Sequence, residues 1–361
     1  MKKRISQSDI IADAEKNAKF LAEQPTNYGL LKVRTANECL TDAEKMPIPK
    51  MLFSEFWHEG ELCILFAGTN IGKSILAVQI ADSISKGGNI SGFKLECEAQ
   101  KVLYLDFELS DKQFQNRYSV DFKLNYEFSN AFFRVEIDTD SEISESETFE
   151  KRLNDSIELA VKQTGAKVLI VDNLTYLGSN SEKAKEALLL MRHLKLLKKK
   201  YNLSILALAH TPKRNPNHPL SINDLQGSSM LANFIDSCFA MGASHSDKSI
   251  RYIKQLKQRA TEQMYDSENV ILAQIEKNHN FLGFRFLEFG NENDHLRNLS
   301  SDDKKELYDT VKSLMQSDPT KNAYSIAKEL CADMSNFKSF NVKIIRLYKK
   351  IQAENKEGAN G

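Results

Sequence analysis

The chain has 361 residues, 41% of them hydrophobic, with 49 lysines and arginines balanced against 49 aspartates and glutamates. That balance excludes a uniformly basic coat for nucleic acid and an acidic disordered chain, so any surface for a charged partner must come from local segregation of charge. Five scattered cysteines form no Cys-x-x-Cys pair, and no apolar run has the length of a membrane span. A zinc ribbon and a membrane protein are therefore excluded, and a cytoplasmic protein with free thiols is expected.

Residues 5–24 carry helical spacing (Ile10, Ile11, Ala14, Ala18, Phe20, Leu21) that stops at Pro25. The basic start, Met1 to Arg4, lacks the apolar stretch of a signal peptide. The stretch up to Pro49 is either a helical arm for a neighbouring subunit or a cover over the core, and the cover is the commoner arrangement. Met46-Pro47-Ile48-Pro49 reads as a linker.

Leu62–Ala67 is an apolar run of strand length, and helical spacing follows from Ile75 to Ile84. Between them lies Ala67-Gly68-Thr69-Asn70-Ile71-Gly72-Lys73-Ser74. This is the Gly-Lys-Ser phosphate loop, with Ala67 where glycine is commoner. Its backbone N–H groups would cradle a β-phosphate, Gly72 would let the backbone approach it, Lys73 would reach the β- and γ-phosphates and Ser74 would ligate Mg2+.

Val102–Leu109 is a second predicted strand, on which alternation puts Asp106 and Glu108 on one face near the C-terminal end, where open α/β sheets bind ligands. Ser110-Asp111 caps the next helix. Ala131–Ile137 is a third strand, Asp138–Glu147 an acidic solvated loop, and Phe149–Gln163 an amphipathic helix. Lys167–Asn173 is a fourth strand, four apolar residues ending in the carboxylate of Asp172, the Walker B pattern, whose aspartate holds the Mg2+ shell. Asn173 follows it, not the glutamate that AAA+ ATPases often place there, so the water-positioning base is expected at Glu108. Tyr176–Lys183 is a polar loop before a long helix. Leu203–His210 is a fifth strand, Thr211–Leu225 a long loop bearing Lys213 and Arg214, and Gly227-Ser228-Ser229 starts a short helix. Asp236–Met241, Ile250–Arg259, Val270–Glu276 and Phe281–Phe286 read as strands, the last two as a hairpin. From about Asn298 only helices are predicted: Lys304–Met315, Ala323–Ala332 and Asn341–Ile351. The last helix carries Lys343, Arg346, Lys349 and Lys350. The final pair fits a helix-turn-helix or a small bundle packed on the core.

Taken together, residues Ala67–Ser74, Tyr104–Leu109, Val168–Asn173, Ile205–Gly227 and Lys254–Arg259 resemble the motifs of RecA-like hexameric ATPases of the plasmid RepA helicase type, which are related to bacterial replicative helicases. The resemblance covers roughly Phe53 to Phe289. It implies an α/β fold: a RecA-like P-loop core with a mostly parallel central sheet, helices on both faces and a small C-terminal helical segment. It also implies ATP and Mg2+ as ligands, Glu108 as activator of water and His210 as sensor of the γ-phosphate. Lys257 and Arg259 would form a two-pronged finger reaching a neighbour's nucleotide, since alternation sets both on one strand face and Lys254 on the other. In such proteins the loops after the fourth and fifth strands line a channel for single-stranded DNA, which assigns Lys213 and Arg214 to backbone phosphates, without an aromatic neighbour for base stacking.

The expected organisation is an arm and linker over residues 1–49, an ATPase core over 50–296 and a helical region over 297–361. The leading functional expectation is a Mg2+-dependent ATPase, a ring-like and hexameric homo-oligomer, acting on DNA in replication of a plasmid or mobile element, with a replication initiator or primase as possible partner. The alternatives are a nucleotide-gated regulatory or scaffold ATPase and a recombinase-like, filament-forming ATPase.

Overall fold

A computed structural model describes residues 27–28, 31–138, 148–174, 183–212, 214–225, 231–297, 301–331 and 337–357, together with the isolated positions 11 and 15. Apart from positions 11 and 15, the predicted helix over 5–24 lies outside these residues, as do the acidic loop after Asp138, the loop from Tyr176, the helix start at Gly227 and Lys213. The chain divides into two compact units, residues 1–49 and 50–361.

In the first unit, β1 (Asn27–Tyr28) pairs antiparallel with β2 (Leu31–Lys32), and α1 (Ala36–Glu44) follows. Thr35 starts α1 with a capping box: its hydroxyl accepts from Glu38 N–H, and the Glu38 carboxylate accepts from Thr35 N–H.

The second unit is built on a nine-stranded sheet. Its strands are β5 (Leu62–Ala67), β6 (Val102–Asp106), β9 (Phe132–Val135), β10 (Val168–Asp172), β11 (Ser204–His210), β12 (Ser237–Ala243), β13 (Ile250–Lys257), β14 (Val270–Asn278) and β15 (Phe281–Gly290). The order is β15-β14-β13-β12-β5-β11-β10-β6-β9. The run from β12 to β9 is parallel, while β13, β14 and β15 extend one edge antiparallel. Valine, isoleucine and leucine fill the central strands because helices cover both faces. On one face α2 (Lys73–Lys86) packs through Leu76, Ala77 and Ile80 against Leu65, Tyr104 and Ile170. On the other, α4 (Phe149–Thr164) and α5 (Lys183–Tyr201) bury Ile157, Val161, Met191 and Leu194 against Leu103, Leu169 and Ile205. This is the RecA-like P-loop ATPase fold, with a mostly parallel central sheet.

Two short hairpins were not legible in the sequence: β3 (Met51–Phe53) with β4 (Trp57–His58), and β7 (Ser119–Val120) with β8 (Leu124–Asn125), the latter following α3 (Asp111–Arg117). Two strands end earlier than their alternation suggests. β6 stops at Asp106, because the Asp106 carboxylate accepts from the N–H groups of Glu108 and Leu109 and turns the chain. Glu108 is therefore placed by a turn and not by strand alternation. β13 stops at Lys257, so Gln258 and Arg259 lie beyond it and the face-sharing argument for Lys257 and Arg259 does not apply.

At the C-terminal end, α6 (Ser301–Ser317), α7 (Ala323–Leu330) and α8 (Phe337–Glu357) gather a small core of Val311, Ile326, Ala327, Ile344 and Ile351. No helix among the described residues is long and apolar enough to cross a membrane.

The β14–β15 hairpin leans on α2, the helix that follows the phosphate loop. The Gln79 side chain forms a two-way bond with the Phe284 backbone, Nε2 donating to Phe284 O (2.9 Å) and Oε1 accepting from Phe284 N (2.7 Å). Gly72, at φ +109°, is the closest approach: a Cβ there would stand 2.7 Å from Ile275 Cδ1 and 2.9 Å from Phe284 Cζ. The left-handed backbone and the overpacking each count against a side chain. Gly72→Ala is expected to cost about 2–4 kcal/mol in denaturant unfolding. Adding Ile275→Ala should return part of that loss. Unchanged stability in the single variant would contradict this packing.

Candidate nucleotide-hydrolysis site

Parallel register brings the ends of four strands to one edge. Ala67 pairs with His210, and Asp106 with Asp172. The phosphate loop leaves β5 at Ala67, and α2 starts at Lys73, so the loop N–H groups and the helix N-terminus face the same edge.

Lys73 is buried, and its Nζ donates to Ala67 O (3.1 Å), Gly68 O (3.2 Å) and His210 Nδ1 (3.2 Å). Burial pulls its pKa down, while the charges of Asp172 and Glu108 pull it up. An ammonium can only donate, so Lys73 bonds the Nδ1 side of His210, and the Nε2 side lies 3.2 Å from Asn173 Nδ2. Glu108 Oε1 lies 3.8 Å from the same Nε2. Asn173 Nδ2 donates to the same Glu108 oxygen. The neighbouring His210 side chain, together with the Lys73 ammonium and the Asn173 amide, holds Glu108 below the usual carboxylate range, with burial opposing them. An ionised carboxylate at that position is ready to accept a proton from water.

Asp106 has a different task. It is buried, receives Arg134 Nε at 2.9 Å and accepts the turn N–H groups, so its oxygens hold Glu108 in place. Arg134 also donates to Leu109 O and pairs with Asp111 at 2.6 Å, which fastens the same turn from outside.

Asp172 is buried at the end of β10, and its Oδ2 accepts a 2.6 Å hydrogen bond from the Tyr104 hydroxyl. Among the described residues its buried Oδ1 has no hydrogen-bond partner. Burial pushes the carboxyl up to about 6 against the Ser74 and Tyr104 hydroxyls. A buried carboxylate oxygen beside the Ser74 hydroxyl suits the hydration shell of Mg2+, which ordinarily keeps several waters and few protein ligands. Ser74 and Asp172 would hold the ion, which on binding neutralises charge on the phosphate oxygens. Among the described residues there is no cluster of three or more His, Cys, Asp or Glu side chains for an all-protein metal cage.

Tyr104 and Arg134 were missed in the sequence. Tyr104 sits inside an apolar run that reads as core, and Arg134 lies on a separate edge strand. Arg251, on β13, was missed too: its Nε donates to Ile71 O (3.2 Å) and steadies the phosphate loop from behind.

The other predicted site residues lie elsewhere. Arg214 is folded into its own loop, donating to His218 O and lying 3.4 Å from Asp224 Oδ1. Lys257 Nζ donates to Ala232 O at 2.5 Å. Lys254 is consumed in a buried pair with Glu292 at 2.7 Å. Arg259 lies 3.3 Å from Asp236 Oδ1, and Asp236 also accepts from Leu62 N at the opening of β5.

The fold and this edge define a P-loop ATPase of the RecA-like class. Residues 30–216 match the family model described as an AAA domain, and the chain belongs to that family. A KaiC-like protein of the archaeon Pyrococcus horikoshii OT3 is similar in structure, at 14% identity and a TM-score of 0.46, over 63% of this chain and 91% of that one. No curated protein matches the chain.

Because its pKa is raised from 3.8 to about 6, the Asp172 carboxyl contributes stability that is fully present below about pH 4 and is lost as the pH rises through 6. Asp172→Asn should thus raise the unfolding free energy of the nucleotide-free protein at pH 8 by on the order of 2–3 kcal/mol. The gain should shrink at pH 5, and hydrolysis should be lost. Equal gains at both pH values, or normal turnover, would contradict this account.

Proposed function

We propose that the chain is an oligomeric Mg2+-dependent ATPase whose site is completed by a neighbouring copy, and that it acts on single-stranded DNA as a helicase-like motor of a plasmid or mobile element. The observation that carries the reading is the position of Arg259. Through Asp236 it stands at the start of β5, whereas the phosphate loop leaves the end of that strand. Six residues at about 3.3 Å each set the two ends roughly 17–20 Å apart. An arginine so placed has no route to its own γ-phosphate, yet it is half-exposed and available to another copy.

Within one chain, Lys73 supplies phosphate-binding charge, Glu108 accepts the proton of the attacking water and Asn173 and His210 fix Glu108. Charge developing on the transferred phosphoryl group calls for a cation, and Arg259 from a second copy, with Lys257 beside it, supplies it. The DNA assignment is supported by the resemblance to RepA-type helicases.

Arg259→Ala and Glu108→Gln should each bind ATP and hydrolyse it poorly, by roughly 10²-fold or more. Mixing them pairs an intact Glu108 with an intact Arg259 at some interfaces. Activity should reappear above the sum of the separate variants, depend on protein concentration and rise further with single-stranded DNA. Full activity of Arg259→Ala alone would overturn the shared site, and a mixed assembly no more active than its parts would do the same. Indifference to single-stranded DNA would overturn the motor and favour a regulatory ATPase.

A further inference from the structure

The C-terminal helices carry a segregation of charge that the hydrolysis site does not use. From Phe337 to Lys350 the sequence contains five basic residues and no carboxylate. The inward side of α8 is apolar: Ile344 and Ile351 are buried with Ile326 and Ala327 of α7 and Val311 of α6. Its outward side carries Arg346, Lys349 and Lys350, all exposed, around Val342 at 46% exposure. Position 346 is four residues beyond 342, and 349 and 350 are three and four beyond 346, so they form one stripe.

A second observation points to an anion. Lys350 Nζ lies 5.7 Å from the centre of the Tyr308 ring, and Lys312 Nζ of α6 lies 5.8 Å from the same ring. Two helices thus bring like charges together on one aromatic side chain. The carboxylates nearby are Glu354, which accepts from the Tyr308 hydroxyl and lies 3.9 Å from Lys350, and Asp309. Arg346 and Lys349 have no ion pair among the described residues. A face that gathers cations at the cost of mutual repulsion is complementary to a polyanion.

We propose that this outward face of α8 docks on the phosphate backbone of duplex DNA. The helix has 21 residues and is about 30 Å long, and an α-helix of ordinary width enters the major groove. The short α7 packed across it leaves the basic stripe free to face the groove, the arrangement by which paired helices present one of their number to DNA. Duplex is favoured over single strand because the Tyr308 ring beside the stripe is already covered by Lys312 and Lys350, with its hydroxyl bonded to Glu354, and so is not free to stack on an unpaired base. The lysine and arginine contacts give affinity with little sequence reading, since phosphate contacts carry none directly. The inference goes beyond the proposed motor and does not depend on it: an anchoring site for duplex would serve any ATPase working beside DNA.

The test uses the full chain, a labelled duplex and one of its single strands, titrated at several salt concentrations. Arg346→Ala/Lys349→Ala should weaken duplex binding on the order of tenfold and reduce the slope of log affinity against log salt by about 2, one phosphate contact per residue. Arg346→Lys/Lys349→Arg should retain both affinity and slope. ATPase activity without DNA should be unchanged in each variant, which separates a lost docking face from misfolding and from failure of the shared-site reading. Unchanged duplex affinity and slope in the alanine variant would overturn the proposal. So would an effect confined to the single strand, or tighter binding of poly-glutamate than of duplex through the same residues, which would assign the face to an acidic protein.

Discussion

The rest of the site depends on one buried ammonium. Lys73 is held by two carbonyls of its own loop and by a histidine from the neighbouring strand, near two carboxylates. Taking such a charge out of water costs several kcal/mol unless partners replace the lost hydration. The carbonyls of Ala67 and Gly68 supply that replacement when no phosphate is present. The same histidine lies beside Glu108, its Nε2 3.8 Å from Glu108 Oε1. A single contact therefore links the phosphate-binding cation to the water-activating carboxylate, and the arrival of a phosphate on Lys73 alters both ends of it.

The burial that makes the site effective also strains it. Asp172 and Lys73 are both pushed toward their neutral forms, and low dielectric strengthens every charge interaction between them. Charged groups arranged to suit a ligand burden the empty fold and reward its binding. The supports are correspondingly heavy. Arg134 and Asp106 clamp the turn that carries Glu108, Tyr104 orients Asp172, Arg251 holds the loop from behind, and the β14–β15 hairpin seals its flank through Gln79, Ile275 and Phe284.

Much of this was legible in the sequence where the signal is local. The central strands announce themselves as apolar runs, because a sheet covered on both faces needs no polar alternation. Gly72, Lys73 and Ser74 are readable because a phosphate loop fixes residue types at fixed spacing. The illegible parts are those settled by partners far along the chain. Alternation alone could not foresee that Asp106 would bend its own strand and give Glu108 a different position. Tyr104 looks like any core residue until Asp172 arrives beside it. The bonds from Gln79 to Phe284 and from Lys254 to Glu292 join segments 205 and 38 residues apart, and no local pattern encodes them.

The central claim is that Lys73 is the cation that meets the phosphates, exchanging its loop carbonyls and His210 for them. Equilibrium titration of the intact protein and of Lys73→Ala with ATP and Mg2+ tests it most directly. The account predicts that the variant remains folded and loses nucleotide affinity by about 10²-fold or more, the scale expected for removing a charge-assisted contact to phosphate from a buried site. A folded variant that binds ATP as tightly as the wild-type chain would contradict it.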